Sequence, residues 1–273
     1  MLNLPQIPQF CQTRVSGSTF VNADCFDVFP FIEEKSIDAI ICDLPYGTTA
    51  CKWDSVLPFD KLWEQYERII KDDGCILLFA SNPFASALVM SNPKLFRYEF
   101  IWDKVIPTGF TMANYRPMMQ HELVLVFSKG KMTYTPKGGY LKFNPQKTEG
   151  HKPVNSYTKK MEVCNKTDVY GKVNRDVSGG GETDRYPRSV QLFASDKQKT
   201  KLDGTIHPTQ KPLALLEMLV KTYSNENDMI LDNTMGSGTT NLACLKLNRK
   251  SIGIEKEKQY YDVAVRRLSS YCG

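Results

Sequence analysis

The sequence predicts an α/β protein: a doubly wound, mostly parallel sheet of seven strands with helices on both faces, interrupted by one inserted segment. Three observations carry this. Short apolar runs recur along the chain, the pattern of strands buried on both faces of a parallel sheet. Helical patterns of about 10–15 residues separate them. From Lys129 to Thr205 the apolar runs stop, and Lys, Tyr, Asn, Thr and Gly take over.

Taken in order, Thr19-Phe20-Val21-Asn22-Ala23-Asp24-Cys25 is a short strand ending in an acid, followed by a weak helix to Ile32. Ala39 to Cys42 is a wholly apolar strand that runs into Asp43-Leu44-Pro45-Tyr46-Gly47 and a polar, aperiodic loop to Asp54. Asp60 is placed to cap a helix through Ile70 that stops at Asp73-Gly74. Cys75 to Ala80 is a buried strand, and Ser81-Asn82-Pro83 opens a helix through Met90. Tyr98–Trp102 and Glu122–Phe127 are the next strands. After the insert a helix runs from Pro212 to Tyr223, Met229–Asp232 is a strand, Asn233 to Gly238 a loop, and a helix reaches Leu247. Ser251 to Glu255 is the last strand, closed by a helix to Ser269. The organisation is therefore 1–128, an insert over 129–205, and 206–273 completing the first domain.

Charge sets the insert apart. Lys129 to Lys211 holds 17 Lys and Arg against 8 Asp and Glu, a larger surplus than the net +5 of all 273 residues. Such a segment fits a polyanion, although a solvated lysine-rich surface has the same composition. None of the eight cysteines forms a Cys-x-x-Cys pair, so they read as reduced thiols of an intracellular protein, with no zinc site. No apolar run approaches the ~18 residues of a membrane span. Met1 to Phe10 has no signal-peptide pattern, and the expected location is cytoplasmic.

Two stretches carry chemistry. Asp43 ends a buried strand, at the edge where open α/β sheets bind ligands. Pro45 stiffens the backbone, so the Leu44 carbonyl is held, and Tyr46 adds an aromatic face. A carboxylate, a fixed carbonyl and a π-face suit a flat group with an exocyclic amine, such as a base. A strand ending in a proline turn would also explain these residues alone. The second stretch is Asp232-Asn233-Thr234-Met235-Gly236-Ser237-Gly238-Thr239-Thr240, between a strand and a helix, with Glu255 ending the next strand. Glycines let the backbone approach a ligand, the helix start offers N–H groups, and an acid at Glu255 can accept from ribose hydroxyls. No Lys follows the second glycine as in a P-loop, and Asn241 stands where a dinucleotide fold wants its third glycine. S-adenosylmethionine, a nucleoside ligand without phosphates, is a third reading, and a plain tight turn would also explain the loop alone. Upstream, His207-Pro208-Thr209-Gln210-Lys211-Pro212 offers a stiff loop in which Lys211 can meet a carboxylate and His207 can donate.

In this order DLPYG, SNPFASALV, a basic insert, HPTQKP, DNTMGSGTT and SIGIE resemble the beta class of S-adenosylmethionine-dependent DNA amino-methyltransferases, over residues 18–128 and 205–268. The resemblance implies a Rossmann-like methyltransferase fold with circularly permuted motifs, the catalytic half preceding the cofactor half and a target-recognition region between. It implies a catalytic tetrapeptide Asp43, Leu44, Pro45 and Tyr46. It also implies a cofactor site of Asp24, Cys25, Asp43, His207, Thr209, Lys211, Asp232, Thr234, Gly236, Ser237, Gly238, Thr239 and Glu255, with Asp24 near the adenine. Two departures stand out: Leu44 replaces the first proline of DPPY, and Asn233-Thr234 replace Pro-Phe, removing an aromatic wall.

The implied reaction is methylation at N6 of an adenine flipped out of duplex DNA. Asp43 and the Leu44 carbonyl would accept the amine's two N–H bonds, and the Tyr46 ring, not its hydroxyl, would act. Asp43 favours adenine, since N4-cytosine enzymes usually carry Ser there; N4-cytosine methylation and a DNA-binding relative without catalysis remain alternatives. Protein-glutamine methyltransferases place the glycine loop first, unlike this chain. In the insert, Lys159 and Lys160 are candidates for phosphates, and Arg175, Arg185 and Arg188 for base edges. Duplex DNA is the expected partner, which would bring the protein to the nucleoid. A homodimer and a cognate restriction endonuclease are left open, and no membrane is expected.

Overall fold

A computed structural model describes residues 10–48, 54–132, 138–159, 177–196 and 210–272. Two compact units emerge: one comprises residues 1–144 and 189–273, the other Pro145–Arg188. The self-contained part of the insert is thus narrower than 129–205. Its first residues join the main unit, where Leu141 is buried in the core.

The main unit is a nine-stranded sheet. Its strands in chain order are β1 (Cys11–Val15), β2 (Ser18–Asn22), β3 (Ile37–Cys42), β4 (Ile70–Ala80), β5 (Phe96–Thr108) and β6 (Met119–Ser128), then β9 (Val190–Leu192), β10 (Met229–Asp232) and β11 (Lys250–Glu255). The spatial order is β1-β2-β11-β10-β3-β4-β6-β5-β9. From β2 to β4 every neighbour is parallel; β1 and β6 pair antiparallel with theirs, and β9 is parallel to β5. The other unit contains a short antiparallel pair, β7 (Tyr157–Lys159) with β8 (Val177–Gly179).

All seven expected strands form, and two more join them. The extra β1 is a hairpin partner of β2, turning at Ser16 and Gly17, which both have positive φ. Its alternation is polar enough to hide it. The extra β9 is only three residues long, too short for any period to register.

Alternation along the central strands divides the core. Ile40, Cys42, Ile76, Leu78 and Ala80 face one cluster, with α2 (Phe59–Ile69) and α3 (Phe84–Ser91). Ala39, Ile41, Cys75, Leu77 and Phe79 face the other, with α4 (Leu213–Tyr223) and α5 (Thr239–Lys246). A third cluster seats α6 (Lys258–Cys272) through Tyr261, Ala264 and Leu268. Helices therefore cover both faces, as a parallel sheet requires.

Two expectations about α2 are corrected. It begins at Phe59 after Pro58, without a side-chain cap, so Asp60 lies in the first turn, where its charge suits the helix dipole. The helix then passes directly into β4 at Ile70, and Asp73-Gly74 lie inside that strand. Gly74 sits beside a register shift between β3 and β4, where a Cβ would lie 2.8 Å from the Asp38 carbonyl. The glycine there admits a β-bulge; it does not stop a helix. At the same edge Asp38 is 3% exposed and accepts from Lys71 Nζ (2.7 Å), Lys142 Nζ (2.9 Å) and the Met229 N–H (3.0 Å). These bonds hold its carboxyl below the usual range despite burial.

Candidate active site

Strands β2, β11, β10 and β3 are consecutive and parallel, so their C-terminal ends meet at one edge. There Asp24, Asp43, Asp232 and Glu255 line one cleft, together with Cys25, Leu44, Pro45, Tyr46, Lys211, Thr234, Gly236, Ser237 and Thr239. The sheet thus collects residues from both ends of the chain. His207 and Thr209 lie outside the described residues. Gly238 is placed differently from expectation. At φ +74° it turns the chain into α5, and a Cβ would lie 3.1 Å from Ala264 Cβ, so it lets α5 pack on α6.

The side of the cleft expected to take a nucleoside is built from backbone and acids. Glu255 Oε2 accepts from the Gly236 N–H and Oε1 from the Glu257 N–H, both at 2.8 Å. Each oxygen keeps a lone pair, so the fixed carboxylate suits two adjacent hydroxyls. Asp24 caps the short helix α1 (Cys25–Val28) by accepting from the Phe26 N–H at 3.0 Å, and its other oxygen meets Lys256 Nζ at 3.0 Å. Burial pushes the Cys25 thiol up to about 12, so it lines the cleft as a neutral group. Asp232 is pushed up to about 7, first by burial and then by the charges of Asp43 and Glu255. Glu255 and Asp43 are raised by burial too. A cleft in which three carboxylates resist ionisation together favours a cationic ligand, and a sulfonium nucleoside fits it.

The two departures from the family pattern acquire partners. Asn233 is 3% exposed; its Oδ1 accepts from the Tyr66 hydroxyl (2.5 Å) and the Cys42 thiol (3.0 Å). Its Nδ2 is buried without a hydrogen-bond partner, leaving a donor for a ligand in the cleft it lines. The Thr234 hydroxyl donates to the Asp43 carbonyl at 3.0 Å. Leu44 is 3% exposed and packs into the core below the cleft, which explains an apolar residue where a proline is usual.

The catalytic side differs from expectation at Tyr46 and Lys211. The Tyr46 hydroxyl donates to Asp43 Oδ1 at 3.0 Å, so the hydroxyl is used as well as the ring. One ring face stacks on Phe84, with centroids 4.9 Å apart. Lys211 meets the protein's own carboxylates: its Nζ lies 2.8 Å from Asp43 Oδ2 and 3.2 Å from Glu122 Oε2. Glu122 Oε1 is held by Lys104 Nζ at 2.9 Å. Asp54 closes the loop, its two oxygens accepting from the Gly47 and Thr48 N–H groups at 2.9 Å.

Glu122, Lys104, Asp54 and Tyr66 escape a sequence reading because each acts across a long separation or within an aperiodic loop. The one visible signal was the acid of Glu122 heading an otherwise apolar strand.

Among the candidates for DNA, Lys160 and Arg175 lie outside the described residues, and Lys159 ends β7. Arg185 turns toward its own unit: its guanidinium donates to the carbonyls of Glu182 (3.0 Å), Asp184 (2.7 Å) and Lys152, contacts that hold that unit together. Arg188 is exposed. Lys142, counted in the positive surplus, is half-buried and paired with Asp38 and Asp228. No helix among the described residues is long and apolar enough to cross a membrane, and no group of metal-binding side chains occurs among them.

Comparison with known proteins agrees with this geometry. A family model described as DNA methylase (N6_N4_Mtase) matches residues 37–266. The type II methyltransferase M1.MboII of Moraxella bovis is 28% identical over 256 residues, covering 88% of this chain and 92% of that protein. The type II methyltransferase M.HpaI of Haemophilus parainfluenzae is 31% identical over 252 residues, covering 88% and 70%. Among solved structures, the M1.HpyAVI–SAM complex superposes with a TM-score of 0.58 at 26% identity, over 91% of this chain and 98% of that one.

Proposed function

The chain belongs to the N6/N4 DNA methylase family, and from that premise we propose that it methylates N6 of an adenine flipped out of duplex DNA. It is a type II, S-adenosylmethionine-dependent DNA methyltransferase; adenine as the target is the finer step. The observation that supports it is Asp43, a carboxylate at the head of the tetrapeptide and in the same cleft as Glu255.

S-adenosylmethionine supplies, when bound, an electrophilic methyl group. Glu255 would hold the ribose hydroxyls, Asp24 and the Asn233 amide the adenine end, and Asp232 would offset the positive charge. Asp43 accepts one N–H of the target amine and the Leu44 carbonyl the other, which localises the nitrogen lone pair. Alignment of this kind supplies ~7–11 kcal/mol of a barrier. Asp43, made more basic by burial, then takes the proton the amine sheds. The face of Tyr46 turned away from Phe84 would stack on the extruded base, and cations of the insert would bind phosphates. Type II relatives suggest a cognate restriction endonuclease as partner, a homodimer stays a proposal, and the site of action is DNA in the cytoplasm.

The test is transfer of labelled methyl from S-adenosylmethionine to duplex DNA, followed by nucleoside analysis. N6-methyladenine is expected, and Asp43→Ala should leave less than a tenth of the turnover while sparing DNA binding. N4-methylcytosine would establish the second reading, which the family name also covers. Unlabelled DNA would overturn both.

A further inference from the structure

We propose that Lys211 has two seats, Asp43 and Glu122, and that its shift to Glu122 frees Asp43 for the target amine. The inference rests on the methyl-transfer reading but not on adenine, since any exocyclic amine needs the same acceptor.

Each oxygen of Asp43 already has one partner, the Tyr46 hydroxyl on Oδ1 at 3.0 Å and Lys211 Nζ on Oδ2 at 2.8 Å, so one lone pair remains on each. The ammonium crowds the side of Oδ2 that an amine N–H would approach. It would also stand beside the nitrogen that gains positive charge as the new N–C bond forms and the C–S bond breaks. Like charges that close in a buried site oppose the reaction. The second seat is already within reach. Glu122 Oε2 is buried and lies 3.2 Å from Lys211 Nζ, a looser contact than the 2.8 Å to Asp43 Oδ2. Lys211 is the partner that this oxygen has, so a shift toward Glu122 shortens that contact as the ammonium leaves Asp43. The move is a shift of the side-chain tip, because both carboxylates already flank one nitrogen. Aromatic rings flank it as well, Phe79 at 5.2 Å and Tyr46 at 5.8 Å from the nitrogen, which keep the charge favourably surrounded between seats.

The two acids are unequal in the required direction. Lys211 and Lys104 hold Glu122 below the usual carboxylate range despite its burial, whereas burial leaves Asp43 above it. Glu122 is thus the permanent anion and Asp43 the one able to take a proton. After methyl transfer the proton passes from the amine nitrogen to the Asp43 oxygen that Lys211 vacated. Lys104, on the neighbouring strand β5, fixes Glu122 through its other oxygen and so keeps the seat open. Glu122 and Lys104 are positioning residues; Asp43 alone touches the amine.

Glu122→Gln, Lys211→Met and the double variant test this in single-turnover methyl transfer to duplex DNA, with calorimetric S-adenosylmethionine affinity and melting temperature measured alongside. Glu122→Gln should lower the rate at least tenfold while cofactor affinity changes less than twofold, because Lys211 then stays on Asp43. Lys211→Met should lose less, and the double variant should recover to the Lys211→Met rate, since without the lysine no second seat is needed. Glu122→Asp, which keeps the charge, should retain more rate than Glu122→Gln and serves if that variant folds poorly. More than half of the wild-type rate in Glu122→Gln, or a double variant slower than Glu122→Gln, would overturn the two-seat proposal. A wild-type protein that transfers no methyl would instead sink the reading beneath it.

Discussion

The Thr234 hydroxyl donates to the carbonyl oxygen of Asp43 across 3.0 Å, tying together two loops 191 residues apart in sequence. One loop carries the proposed amine acceptors and the other turns around the cofactor end of the cleft. The bond sets their spacing, and a methyl donor and its acceptor need that spacing fixed. Thr234→Val removes the bond and keeps the shape. A neutral hydrogen bond contributes about 1 kcal/mol, so turnover should fall about fivefold. Steady-state kinetics that left kcat and both KM values unaltered would show that the loops are aligned by other contacts.

Glu255 is the side chain on which cofactor affinity should depend most, if the proposed ribose contact holds. Glu255→Ala deletes the acceptor for two hydroxyls, each worth ~1.5–3 kcal/mol with a charged partner. It also leaves the Gly236 and Glu257 N–H groups unpaired. Calorimetry should show S-adenosylmethionine binding weakened at least tenfold. An affinity within a factor of two of wild type would exclude the ribose role.

Asp232 makes the ligand-free protein sensitive to pH. Its carboxyl is raised to about 7, so the stability it contributes is complete below its unfolded pKa near 3.9 and is lost as pH rises through 7. The rise to about 7 corresponds to at most ~4 kcal/mol. The melting temperature of the apo protein should therefore fall between about pH 4 and 7 and level off above, and Asp232→Asn should flatten that fall. S-adenosylmethionine should act in the opposite sense, because its positive charge favours the ionised acid. Its affinity should rise over the same range with release of a proton, visible as a dependence of calorimetric heat on the buffer. Equal pH profiles for wild type and Asp232→Asn would assign the effect elsewhere.

Binding to duplex DNA should weaken with salt, at a log–log slope of about −0.9 for each phosphate neutralised. Replacing Lys159 or Lys160 should lower affinity for all sequences alike and reduce the slope by up to ~1 each. Arg175→Ala or Arg188→Ala should relax one target position at ~1–3 kcal/mol. Lys142→Met and Arg185→Ala should behave differently. Both side chains are spent inside the protein, so the melting temperature should drop and the salt slope stay put. Should all four lysine and arginine replacements outside the core leave affinity and slope intact, DNA would be bound by another surface.

The sequence by itself determined the parallel core and the edge at which the site lies. Ala39–Cys42, Cys75–Ala80, Met229–Asp232 and Ser251–Glu255 are short, largely apolar runs set between helical patterns, as strands buried on both faces are, and the acid ending each motif strand marks that strand's C-terminal end. Burial of apolar surface is a local property of composition and period, so it can be read one segment at a time.

What only the tertiary structure decided is which polar groups meet. The Lys211 contact with Asp43 and Glu122, the Thr234 bond to the Asp43 carbonyl and the lodging of Asn233 beside Tyr66 and Cys42 each join residues far apart in the chain. Gly74 reads as a helix stop in sequence and serves as a bulge in space, because the partner strand dictates the need for it. A hydrogen bond depends on distances of tenths of an ångström and on direction. Those are set by how strands order themselves in the sheet, and no period along the chain records them.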